Sequence, residues 1–336
     1  MFVIKYRTIW FMLSSILIVA SAWAMFNYGL NLSIDFKGGT ITEIKYTDRP
    51  DKTLVDSSIE NLNLGGFSVR PSGETNYIIR TKELNQGDKD KLNTALSEMG
   101  SGQVIERQNT IGPTAGIELK SKAIKAVIVV IVMIVLFITF AFRKVSPPAG
   151  PGGQVSPPTS WKYGLATIIA LAHDVIIPTG LFVYFGHIFG FEIDLLFVTG
   201  LLAILGYSVH DTIVVFDRVR ENLKVNQEQN HKEEFELTVG KSVNQTFARS
   251  INTSLTIFIT LLALYLVGSP ATKDFALLLI VGVIAGTYSS IFVASPLLVT
   301  FYKLQRKNVA VRAVLETEKE PILRGDLKGL AKKIRK

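Results

Sequence analysis

The chain has 336 residues, 48% of them hydrophobic, a formal net charge of +8 and no cysteine. Without thiols, disulfides, cysteine-attached haem and thiolate metal sites are excluded. The apolar residues gather in six blocks of roughly 18–25, the length that crosses a ~30 Å hydrocarbon core, and this excludes an ordinary water-soluble globule.

The blocks lie at 9–30, 123–142, 163–190, 193–216, 251–268 and 275–302. The first ends in "SAWAMFNYGL", bulky where a signal-peptide cleavage site needs small residues, so it reads as an uncleaved helix closing a segment 1–30. Residues 31–120 read as a small folded domain outside the membrane. "TITEIKY" alternates like a strand, and "DKTLVDSSIENLNL" sets Leu54, Ile59 and Leu62 at helical spacing behind an Asp-Lys-Thr start. "FSVRP" and "NYIIRT" are strands joined at Ser72-Gly73, "DKDKLNTALSEMG" is a second helix, and "QVIERQNTI" a last strand. The order βαββαβ is that of a ferredoxin-like α+β domain.

The second helix is expected within 121–145, followed by a Pro/Gly linker at 146–162 that cannot form helix or sheet. Residues 163–303 carry helices three to six, with a charged loop at 217–248 read as a surface helix. The tail 304–336 is polar, then basic; it touches anionic lipid headgroups or ribosomal RNA near a nascent chain, or is simply solvated, and no specific nucleic-acid partner is expected. The fold class predicted is thus an α-helical polytopic membrane protein of six transmembrane helices, plus one α+β domain between spans one and two.

Short loops set the orientation. Lys5, Arg7, Arg143, Lys144, Lys162, Arg218, Arg220, Lys224, Lys232 and Lys241 fall on one side; "HIFGFE" and "GSPATK", on the other, hold a single lysine between them. Both termini are therefore expected in the cytoplasm, and the small domain outside.

Ionisable groups interrupt or adjoin the later blocks, and a charge at such depth is a functional hypothesis by default. Asp211 lies five residues before the end of the fourth block, roughly 8 Å from its edge at 1.5 Å per residue. Gly200, Ala203, Tyr207 and Ser208 share or adjoin its helical face, so it is expected to point into the bundle. In span five, Gln245, Thr246, Arg249, Asn252, Thr253 and Thr256 recur at helical spacing as a polar stripe. Arg249 falls at a depth similar to Asp211, and an ion pair between them is predicted. Span three adds His173-Asp174, four residues before Pro178, whose missing N–H opens the helix locally. Asp174, His210, Asp211 and Arg249 together favour an ion path over simple helix-to-helix glue. His210, adjacent to Asp211, points about 100° away from it and does not make a dyad.

Hydrolytic chemistry fits poorly. Asp211 lacks the Gly-x-Gly-Asp setting of an intramembrane aspartyl protease, "GYSV" lacks the second glycine of a serine-nucleophile turn, and the histidines have no metal-ligand spacing.

With those residues in view, the chain resembles the SecF family, the smaller membrane subunits of the SecD–SecF complex of the Sec export machinery, within the resistance-nodulation-division superfamily. The similarity runs from about residue 5 to about 305, apart from the linker. It rests on "IDFKGGT", "IGPTAG", "LAHDVIIPTG", "GYSVHDTIVVFDRVREN" and "QTFARSINTSLT". The resemblance implies a bacterial cytoplasmic-membrane protein that assembles with SecD and the SecYEG channel. It implies use of proton-motive force to pull translocating polypeptide outward, with protons as the coupling ion and no cofactor, ATPase or hydrolase site. It places Asp211 and Arg249 in the proton pathway, and Asp35, Gly38 and Gly39 at a hinge between span one and the small domain. The family often has Asn at the position of His210. A stand-alone exporter of the same superfamily is the competing class, with larger external segments and about twice the spans.

Overall fold

The computed structural model describes residues 2–100, 102–142, 160–229, 231, 233–268 and 270–306. Most of the 146–162 linker and of the 304–336 tail lies outside the described residues. The elements in order are α1 (Phe2–Lys5), α2 (Arg7–Tyr28), α3 (Ile34–Lys37), β1 (Gly39–Lys45), α4 (Lys52–Asn61), β2 (Phe67–Ser72) and β3 (Asn76–Thr81). Then follow α5 (Gln86–Glu98), β4 (Val104–Ile111), α6 (Pro113–Ala141), α7 (Ser160–Phe189), α8 (Leu195–Glu228), α9 (Phe235–Val267) and α10 (Pro270–Ser289). A π turn at Ser290–Ala294 continues α10, and helix resumes over 295–306.

Among the described residues, six helices are long and apolar enough to cross a membrane. The last is the most enclosed: 67% of its apolar window is buried, against 11% for α6, so α10 is the central pillar and α6 lies outside. Between apolar helices in lipid, close packing rather than water exclusion holds neighbours together, and small residues permit it. Gly286 shows this, since a Cβ there would sit 3.0 Å from the Cβ of Ser208 on α8.

The small domain is a four-stranded antiparallel sheet of order β2-β3-β1-β4, with α4 and α5 on one face. Alternation decides the faces: Thr40, Thr42 and Ile44 are buried toward the helices, whereas Ile41 and Glu43 look to the bundle side. Ile44, Val55, Ile59, Ile79, Leu92 and Leu96 are wholly buried, each worth roughly 1.5–3 kcal/mol in a water-exposed domain. Asp51 caps α4 by accepting from the Thr53 amide at 3.4 Å, as the Asp-Lys-Thr start predicts.

Several helices outrun their apolar blocks. α6 starts at Pro113, because proline is pre-set for a first helical position and loses no hydrogen bond there. α8 and α9 take up nearly all of 217–248, leaving only a short connection. Their charges face outward in Asp217–Arg220 and Arg218–Glu221 pairs, while Val219, Phe235 and Val239 stay buried. At this end, Glu236 of α9 bridges Arg7 (3.0 Å) and Lys303 (2.5 Å), tying the first and last spans together.

Candidate functional site

Among the described residues, two carboxylates sit inside the bundle. Asp174 on α7 is fully buried and Asp211 on α8 is 6% exposed. Ser208 of α8 and Ser289 of α10 (2.8 Å) donate to one oxygen of Asp174, and His173 Nδ1 lies 3.0 Å from the other. Asp211 accepts from Ser250 of α9 at 2.5 Å and from Ser290 of α10. Each carboxylate is thus solvated by hydroxyls from two neighbouring helices, which is how a buried charge-bearing group avoids an unmet hydrogen bond.

The predicted Asp211–Arg249 ion pair is not formed. Arg249 is exposed on the outer face of α9, and Asp211 has no ion pair among the described residues. The error is one residue of helical phase: Ser250, about 100° round from Arg249, faces inward instead. The stripe divides accordingly. Ser242, Thr246 and Ser250 form a buried row four residues apart, whereas Gln245, Arg249, Asn252, Thr253 and Thr256 lie on the exposed face. Gln245 is held from α8 by Arg218 (2.7 Å) and Asn222 (2.8 Å). His210 is also exposed, turned away from Asp211 as helical geometry requires.

His173 and Asp174 do meet, although they too are neighbours. Both are buried in the packed interior, and the Tyr288 ring stacks on His173 at 5.7 Å and 17°. The Tyr288 hydroxyl in turn donates to the Trp10 carbonyl of α2 at 2.8 Å. Toward the small domain, Tyr207, Ser254 and Thr287 form a hydroxyl cluster with separations of 2.6 and 3.3 Å. Ser250, Ser289 and Ser290 escaped the sequence reading. The signal was there, in "TYSS" within an apolar span, but a serine in a membrane helix usually bonds its own backbone and so carries little information.

The small domain is fastened to the far end of α8. Asp35 accepts from the Leu195 amide at 3.0 Å and Asp194 from the Phe197 amide at 2.7 Å, so two carboxylates cap one helix start. Ser33 N donates to the Ile193 carbonyl (2.9 Å) and Ile193 N to the Asn31 carbonyl (2.8 Å), a short parallel bridge. Gly39 has φ +137°, and a Cβ there would lie 2.6 Å from the Thr81 carbonyl oxygen. A Cβ on Gly38, at φ +79°, would lie 2.8 Å from the Pro113 Cα at the start of α6, too close for any side chain. Asp35, Gly38 and Gly39 therefore join the sheet, α6 and α8 at one point.

Above this joint a cavity of 570 Å³ separates the sheet from the bundle, lined by Arg70, Arg80, Glu192 and Asp194 among others. Arg80 Nε stands 2.7 Å from Glu192 Oε2, a charge contact not aligned as a hydrogen bond. Burial pushes the Glu192 carboxyl above its ordinary value, opposed by Arg80 and Arg70; burial likewise raises Asp194, with Asp35 adding to it.

Comparison with known proteins assigns the chain. Residues 91–149 and 158–304 match the family described as "Protein export membrane protein SecD/SecF, C-terminal", and residues 23–48 match the "SecD/SecF GG Motif". The chain belongs to the SecD/SecF family. Among its relatives, protein translocase subunit SecF of Thermobaculum terrenum is 38% identical over 312 residues, covering 89% of this chain and 93% of that one. Protein translocase subunit SecF of Anaerolinea thermophila is 34% identical over 306 residues, covering 90% and 94%. The crystal structure of SecDF from Thermus thermophilus, described as a translocon-associated membrane protein, matches with a TM-score of 0.76 and 29% identity. That match covers 89% of this chain and 38% of the SecDF chain. Asp35, Gly38 and Gly39 lie within the GG-motif match, and the C-terminal match contains both buried carboxylates. The chain is a multi-pass membrane protein of Sec-type protein export.

Proposed function

We propose that this chain is an accessory subunit of Sec protein export that uses proton-motive force to drive late steps of polypeptide translocation. It acts with SecD beside the SecYEG channel in a bacterial inner membrane, with both termini in the cytoplasm and a ferredoxin-like domain outside. The observation that carries this reading is the pair of enclosed carboxylates, Asp174 and Asp211, each buried within a long apolar stretch of its helix.

A proton is the change such a site registers most directly. Ionised, each carboxylate only accepts hydrogen bonds; protonated, it must also donate one, so part of its serine shell has to turn round. α8 carries that change outward. Leu195, at the Asp35 joint, lies about 24 Å along the helix from Asp211 at 1.5 Å per residue. A small shift of α8 therefore reaches the root of the external domain, which rides on α8, α6 and span one together.

SecD as partner is supported by the SecDF match, in which the similar region is part of a longer single chain. The exposed polar row on α9, with Arg249, Asn252, Thr253 and Thr256, and His210 on α8 are where a membrane partner would be seated, since lipid leaves such groups unpaired. The test is export of a reporter protein in membrane vesicles from SecF-depleted cells, with and without a proton gradient. Wild-type chain should restore gradient-dependent export and co-purify with SecD and SecYEG, and Asp211→Asn should lose the gradient dependence. Export equally rapid with Asp211→Asn would dismiss the reading.

A further inference from the structure

Ser289 and Ser290 are consecutive, wholly buried, and placed where α10 passes into its π turn. They serve different carboxylates: Ser289 Oγ donates to Asp174 and Ser290 Oγ to Asp211. Consecutive helical residues point about 100° apart, so one turn of α10 reaches between α7 and α8 to both sites.

Each hydroxyl has a second acceptor in reach. Ser289 Oγ is 3.1 Å from the Gly286 carbonyl, and Ser290 Oγ is 3.1 Å from the Thr287 carbonyl. A hydroxyl has one hydrogen and can give it to one of these at full strength. When the carboxylate is ionised, the hydrogen goes to it. When the carboxylate takes up a proton, that proton can point at the serine oxygen, and the serine hydrogen then turns to its own helix carbonyl.

The carbonyls that would receive it belong to the turn leading into the π segment. Pro296 follows closely, with no N–H to offer the Phe292 carbonyl, and Ser295 Oγ donates back to the Ser290 carbonyl at 3.0 Å. This stretch of α10 is thus already off the regular α-helical ladder, and π turns concentrate at functional sites. Back-bonding from a serine bends a helix, and here two such bonds would act on overlapping turns.

We propose that Ser289 and Ser290 are positioning residues that couple the two carboxylates, so that protonation of Asp174 or Asp211 alters the hydrogen bonding of the same turn and thereby the titration of the other. The inference rests on the proton-driven reading of this site. The remaining groups around the pair are His173 and Tyr288 on the Asp174 side, and Tyr207 of α8 near Ser254 and Thr287; Arg249 and His210 lie on the outer face.

The test is a pH titration of the full chain in lipid nanodiscs, following the carbonyl stretch of protonated aspartate by infrared difference spectroscopy with isotope-labelled aspartate. Replacing Asp211 by Asn should move the midpoint of the remaining buried band, that of Asp174, by about one pH unit, the size expected of coupled sites. In a Ser289→Ala/Ser290→Ala background the same replacement should move it much less. Ser289→Cys/Ser290→Cys, which keeps volume and a weak donor, guards against a folding defect and should give an intermediate shift. No shift with the serines present, or an equal shift without them, would overturn the inference. The readout is titration and not export, so export that proves independent of a proton gradient would remove the functional reading while leaving this coupling standing.

Discussion

Asp35 and Leu195 are 160 residues apart in sequence and joined by a 3.0 Å hydrogen bond. That bond fixes the root of the small domain to the first amide of α8, the helix whose interior carries Asp211. Two parts of the chain with different solvents, an aqueous α+β domain and a lipid-embedded bundle, thereby share one helix end.

Asp35→Ala should loosen this joint. Loss of a helix-capping acceptor costs about 1 kcal/mol, which is roughly a fivefold rise in local opening. Amide hydrogen exchange at Leu195 should quicken by that factor while the sheet amides of β1 and β3 keep their protection. Asp35→Asn, which retains an acceptor, should lose less.

Gly39→Ala should be more damaging than its size implies. The backbone there is held at φ +137°, a region that costs an L-residue about 1–3 kcal/mol, and the added methyl would meet the Thr81 carbonyl. Thermal unfolding of the full chain should show the external domain melting several degrees lower. Gly29→Ala carries positive φ without a nearby obstacle, so it should cost less and serves as the comparison.

The ordering of the domain on the bundle should depend on pH. Glu192 and Asp194 have carboxyls raised by burial when the domain is docked. A raised acid binds its proton more tightly in the docked state, so its contribution is fully present below the ordinary carboxylate value and is lost as pH rises through the raised one. The domain's melting temperature should therefore fall as pH rises from mildly acidic toward neutral, and Glu192→Gln should flatten that slope. A melting temperature that climbs over the same range would contradict the assignment.

Much of this was legible in the sequence, and for identifiable reasons. Charges in apolar blocks are costly, so Asp174 and Asp211 announce themselves. Strand alternation and an Asp cap signal the order of the external domain. The partners of those carboxylates were not legible. Arg249 draws the eye as a charge opposite a carboxylate, yet the stripe on α9 spans both Gln245 and Thr246 and so leaves the helical phase open by one residue, which hides Ser250. The Asp35–Leu195 bond has no local signature at all, because the two ends meet only once span one and the α7–α8 connection lie side by side.

On the proposed mechanism, the charge on Asp211 reaches the small α+β domain through α8 and Asp35. Single-molecule energy transfer between fluorophores at positions 90 on α5 and 188 near the end of α7 measures it directly, in the assembled full-length chain. Asp211→Asn, a permanently uncharged stand-in for the protonated residue, should shift the distance distribution, and Asp35→Ala should remove most of that shift. A distribution unmoved by Asp211→Asn, or moved equally whether or not Asp35 is present, would contradict the account.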